Sequence, residues 1–209
     1  MKITIIYDNE AFRKDLRADW GFSCLVDVYE KKILFDTGTK GSILLENMKI
    51  LDIDPSVIEE VFISHSHGDH TGGLSDFLKV NPVPVYVPAS YGKSFPQAVA
   101  VREPIQIHEN IFSTGELNNT EQSLIVKTER GVVVIAGCSH PGVKPILEAA
   151  AQFGNVTALI GGLHGFTDFD LLKGLELVCA THCTRYKSEI QSLYPDIFVE
   201  GGAGRILEL

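Results

Sequence analysis

Short apolar runs in this chain repeatedly end in histidine, and that recurrence constrains the fold more than any other feature. Val61-Phe62-Ile63 leads into Ser64-His65-Ser66-His67-Gly68-Asp69-His70. Gly131–Ala136 leads into Gly137-Cys138-Ser139-His140, Thr157–Ile160 into Gly161-Gly162-Leu163-His164, and Leu175–Ala180 into Thr181-His182-Cys183-Thr184. Apolar runs of this length, rich in β-branched residues, read as buried strands. In layered α/β folds the loops past strand ends gather at one edge of the sheets, where ligand sites form. Histidines placed by chance would be scattered, so these loops are expected to converge on one site.

The densest of them, His65 to His70, carries imidazoles at 65, 67 and 70 and a carboxylate at 69. Extended residues alternate faces, so His65 and His67 can point the same way, while Asp69 and His70 turn with the loop toward a neighbouring point. Metal-competent side chains at that density are costly to hold together unless a cation neutralises and orders them.

The remainder of the chain reads as a single domain spanning residues 1–209, long enough for one substantial core. Strands are expected over Ile3–Tyr7, Ser23–Tyr29, Lys32–Asp36, Val61–Ser64, Pro84–Val87, Ile105–His108, Ile111–Ser113, Ser123–Thr128, Phe198–Glu200 and Arg205–Leu207, besides the apolar runs above. Helices are expected over Gly41–Met48, after Thr71-Gly72-Gly73, and over Val143–Phe153. Strands in two runs separated by helical stretches suggest two packed sheets with helices outside, an α/β fold of the four-layer αββα kind.

A formal net charge of -9 argues against a nucleic-acid or anionic-membrane partner, which needs a basic footprint. No run approaches the roughly 18 apolar residues of a membrane-spanning helix, and the N-terminus lacks a cleavable signal pattern, so a cytoplasmic location is expected. The four cysteines, Cys24, Cys138, Cys179 and Cys183, do not read as a disulfide framework.

The histidine signature followed by Thr71-Gly72-Gly73, with the Leu34-Phe35-Asp36-Thr37-Gly38 strand end, resembles the metallo-β-lactamase superfamily of metallohydrolases. The loops Thr114–Leu117, Glu121–Leu124, Gly137–Gly142, Gly161–His164 and Thr181–Thr184 resemble the branch named for 7,8-dihydropterin-6-methyl-4-(β-D-ribofuranosyl)aminobenzene-5′-phosphate synthase. The resemblance implies the αββα sandwich of that superfamily and a metal-dependent hydrolase or transferase. Its substrate would be small and phosphorylated, with a pterin-like group as one form. Superfamily members carry a metal-bridging Asp after the apolar strand of the second half, and here that strand ends in Cys138.

The expected ligand sets are His65, His67 and His140 for one metal site and Asp69, His70 and His182 for a second beside it. One or two divalent ions would occupy them, zinc first, with iron or manganese as alternatives, because histidine and carboxylate ligands suit several metals. The ions would supply an acidified water and polarise a substrate oxygen. Asp69 reads as ligand or catalytic base, and His164 as ligand, phosphate binder, general acid or backbone-satisfied histidine. Asp36 reads either as the partner of a ligand histidine or as a turn residue. Cys138 reads equally as ligand or inert thiol, Cys183 as a packed neighbour of His182, and Glu116 and Glu121 as solvated. The aromatic segment Ser90–Val101 is expected to cover the pocket. A protein that binds metal without turnover, as a sensor, is the competing reading.

Overall fold

The computed structural model describes residues 1–209. One sheet has seven strands: β1 (Lys2–Tyr7), β2 (Ser23–Val28), β3 (Lys31–Phe35), β4 (Glu60–Phe62), β5 (Val85–Pro88), β6 (Ala98–Val101) and, last in sequence, β13 (Ile206–Glu208). They lie in the order β13-β1-β2-β3-β4-β5-β6. The second sheet holds β7 (Ile105–His108), β8 (Ile111–Ser113), β9 (Leu124–Thr128), β10 (Gly131–Ala136), β11 (Val156–Gly162) and β12 (Leu177–Thr181), in the order β12-β11-β10-β9-β8-β7. Helices α1 (Gly41–Ile50), α2 (Gly68–Thr71), α3 (Leu74–Val80), α4 (Val143–Ala151) and α5 (Lys187–Leu193) connect them.

The layering follows from side-chain alternation. Ile33 and Phe35 of β3, Cys24 and Val26 of β2, Val133 and Ile135 of β10, and Ala158 and Ile160 of β11 form one buried core between the sheets. Their neighbours point outward: Leu34 and Leu25 meet Ile43, Leu44 and Met48 of α1 and Phe77 of α3. Val134 and Leu159 likewise meet Val143 and Ile146 of α4 and Ile190 of α5. A strand apolar on both faces is what a sheet covered on both sides requires. The αββα sandwich expected from the sequence is the fold observed.

Parallel pairing aligns the strand ends that carry the site. β3 and β4 run parallel, with Phe35 beside Phe62, so Asp36 and Ser64 follow side by side. β10, β11 and β12 also run parallel, with Ala136 beside Gly161 and Gly162 beside Thr181, so the loops bearing Cys138, His164 and His182 leave the same edge.

Three local expectations need correcting. Phe198–Glu200 is not a strand: only Phe198 pairs, in a single bridge to Val178. Gly201-Gly202 then turns the chain away, and Ala203 bridges to Ala11. Ser90–Val101 does not form a cover. Ala98–Val101 is the edge strand β6, and Tyr91 is buried against Phe95 in the core between the first sheet and its helices. The helix α5 over Lys187–Leu193 was not foreseen.

Candidate metal centre

The signature loop owes its shape to glycine. A Cβ at Gly72 would lie 2.0 Å from the Thr39 carbonyl oxygen, so only glycine lets the α2 turn pack on the loop after β3. Thr37 N–H and Oγ1 both donate to the His70 carbonyl, which ties that loop to the turn. At the end of β11, Gly161 has φ +126°, and a Cβ there would meet the Ala136 carbonyl oxygen at 1.9 Å. Asp36, Ser139, His164 and His182 all adopt positive φ, at 52°, 59°, 46° and 48°. Each such residue costs of order 1 kcal/mol, and strain concentrated at strand ends marks a functional edge.

Of four overlapping ligand-competent groups there, two take in Cys138, with His65 and His70 or with His182 and Cys183, and two hold only histidine and carboxylate. His65, His67 and His140 make one, their ring centroids 4.6 to 4.7 Å apart. Asp69, His70 and His182 make the other, with Asp69 Oδ2 3.3 Å from His182 Nε2 and His70 Nε2 3.2 Å from His182 Nε2. The six residues expected from the sequence thus come together in the two sets expected. His164 lies outside both: it is exposed at the rim, its ring centroid 5.2 Å from that of His140. His108 is far along β7, paired with Glu60.

The hydrogen bonds behind these rings fix their tautomers. His70 Nδ1 is 2.6 Å from Asp36 Oδ2 and donates to it. Ser64 Oγ gives its only proton to the same carboxylate at 2.7 Å, so it accepts from His65 Nδ1 at 2.9 Å. Asn9 Oδ1 accepts from the Gly21 amide and from His182 Nδ1, while Asn9 Nδ2 donates to the His182 carbonyl. With Nδ1 protonated in all three rings, each Nε2 presents a lone pair inward. The Nε2 lone pairs of His70 and His182 face each other beside the Asp69 carboxylate. Acceptors that converge in this way repel unless a cation lies among them, so the donor set fits divalent metal.

Burial and neighbouring imidazoles push His65 below the ordinary histidine range, and burial does the same to His70 and His140. Neutral imidazole is the form that ligates. Burial pushes the Asp36 carboxyl up, against the Ser64 amide and hydroxyl that pull it down.

Four supports, Asn9 among them, were not foreseen. Glu121, expected to be solvated, is wholly buried. Its Oε1 accepts from the amides of Gly137, Cys138 and Ser139 at 2.9, 3.0 and 3.1 Å, and its Oε2 from that of His140 at 2.9 Å. The carboxylate thus shapes the loop that presents Cys138 and His140. Trp20, exposed above the cluster, donates from Nε1 to Asp69 Oδ2 at 2.9 Å and lies 5.3 Å from the His182 ring. Asp8 accepts from the His182 amide. Asn9 and Trp20 stand in polar stretches that look like any surface loop, so no sequence signal pointed to them.

A sequence profile of the metallo-beta-lactamase superfamily matches residues 21–150. Among characterised relatives, the 7,8-dihydropterin-6-methyl-4-(beta-D-ribofuranosyl)-aminobenzene-5′-phosphate synthase of Methanocaldococcus jannaschii is 27% identical, with 98% of this chain and 95% of that protein covered. The crystal structure of a metal-dependent hydrolase of the β-lactamase superfamily superposes with a TM-score of 0.81 at 27% identity, covering 100% of this chain and 99% of that one. The zinc-bound PqqB of Methylobacterium extorquens shares the fold at 12% identity and a TM-score of 0.67, covering 100% of both chains. The profile spans most of the chain and includes the histidine signature, so this protein belongs to the metallo-beta-lactamase superfamily.

Proposed function

We propose that this protein is a metal-dependent enzyme, a hydrolase or transferase, acting on a small phosphorylated substrate of which a pterin-like compound is one form. The observation that carries the reading is the convergence of unprotonated Nε2 atoms and a carboxylate at the open edge of both sheets. His65, His67 and His140 would hold one divalent ion, and Asp69, His70 and His182 a second, zinc before iron or manganese. Ions there would supply a Lewis acid and a nucleophile at neutral pH.

The chain's own residues do the rest. Asp36 and Asn9 hold the ligand rings in their ligating tautomers. Trp20 donates to Asp69 Oδ2, the oxygen that faces His70 and His182, and so orients the carboxylate toward that ligand set. His164 would give a proton to a leaving group or hold a substrate phosphate. It borders, with His140 and Val143, a cavity of about 330 Å³ next to the first ligand set. The name of the archaeal relative supports a phosphorylated pterin-type substrate, and the described hydrolase supports hydrolysis.

The test is turnover of phosphate monoesters, phosphodiesters and diphosphates by protein reloaded with zinc, iron or manganese. The expected result is metal-dependent activity that His67→Ala abolishes and His108→Ala leaves intact. Stoichiometric metal with no turnover on any of these classes would replace the enzyme reading with that of a metal-binding sensor.

A further inference from the structure

We propose that Cys138, Cys183 and His182 form a sulfur-bearing ion position within the centre, suited to a thiophilic divalent ion such as zinc, cobalt or cadmium. The proposal rests on the reading that the cluster binds metal, and it adds sulfur to the donors of the ion that His182 holds, since that ring has a single lone pair to give. The two thiol sulfurs are 3.3 Å apart, and Cys138 Sγ is 3.1 Å from His70 Nε2. One donor atom from each of Cys138, His182 and Cys183 lies within 4.8 Å of the other two.

The fold makes room for this meeting. Cys138 follows β10 and Cys183 follows β12, strands separated by β11. Residue 162, at the end of β11, stands between them. A Cβ there would lie 2.8 Å from Cys183 Sγ and 3.3 Å from Cys138 Cα, so glycine leaves the gap in which the thiols touch. Glu121 fixes one side by accepting from the Cys138 amide, and Asn9 fixes the other through the His182 ring. Cys24 and Cys179 show the contrast, since both are wholly buried in the apolar core between the sheets. Thiolate donors favour zinc and its softer congeners over manganese or magnesium. The pair therefore narrows a choice that histidine and carboxylate alone leave open.

The test loads the full-length chain with Co²⁺ under reducing, anaerobic conditions and records its absorption spectrum. The expected result is a near-ultraviolet thiolate-to-cobalt charge-transfer band beside the visible ligand-field bands. Cys183→Ser should lower that band by about half, and Cys138→Ser with Cys183→Ser should remove it while the ligand-field bands persist. X-ray absorption on zinc-loaded wild-type protein needs no variant, and it should show a sulfur shell at about 2.3 Å. A sulfur-free zinc shell, or a charge-transfer band unchanged in Cys183→Ser, would overturn the proposal. Ligand-field bands with no charge-transfer band would defeat it and leave the histidine and carboxylate centre standing, whereas no cobalt uptake would defeat both.

Discussion

At the scale of single residues, the centre depends as much on what stands behind the ligands as on the ligands themselves. Glu121 is the clearest case. One buried carboxylate satisfies the amides of Gly137, Cys138, Ser139 and His140, and no other group is placed to do so. Glu121→Gln puts an amide N–H where an acceptor is needed. It should cost about 2 kcal/mol of stability, since buried donors left unpaired are expensive. Denaturant titration of the metal-free protein reads that cost directly, and a cost indistinguishable from zero would mean that the loop holds itself. The histidine cluster was legible in the sequence because its density has no cheap explanation without metal. Glu121 was not, because an acidic residue in a polar loop looks the same whether it meets water or four amides brought from elsewhere in the chain. The meeting of Cys138 with Cys183 was hidden for the same reason, since the contact spans 45 positions.

At the scale of elements, apolar alternation announced most strands, and parallel pairing turned strand ends into one edge. The misreadings fall where that signal is weak. The half-exposed β6 lies at a sheet edge and lacks a buried face, and Phe198–Glu200 is apolar enough for a strand but is turned away after one bridge. The α2 turn shows how an element positions chemistry. Its contact with the loop after β3 depends on Gly72, whose Cβ would meet backbone rather than a flexible side chain. Gly72→Ala should therefore cost about 1–3 kcal/mol as an overpacking change and shift His70 away from Asp36. The expected readout is a lower denaturation midpoint together with weaker zinc binding in a chelator competition. Unchanged zinc affinity would show that α2 tolerates displacement without disturbing the ligands.

At the scale of the molecule, the centre bridges the two sheets. His65, His67, Asp69 and His70 come from the first, and His140 and His182 from loops of the second. An ion shared across that seam would bind the folded chain and not the unfolded one, which would link metal to stability. At a free zinc concentration a hundredfold above the dissociation constant the stabilisation is about 2.7 kcal/mol. For a domain of this size that corresponds to a rise of roughly 5–10 °C in melting temperature over the chelated protein. A melting temperature indifferent to chelation would mean that the sheets hold together without the centre. The net charge and the absence of any helix long and apolar enough to cross a membrane add nothing against this picture. Elemental analysis of anaerobically purified protein counts the ions that the two ligand sets at this seam would hold. About two divalent ions per chain are expected, with the ion of the first set lost on His67→Ala and both retained on His108→Ala. A chain that takes up no metal after reloading, or that loses it equally in both variants, would contradict this expectation.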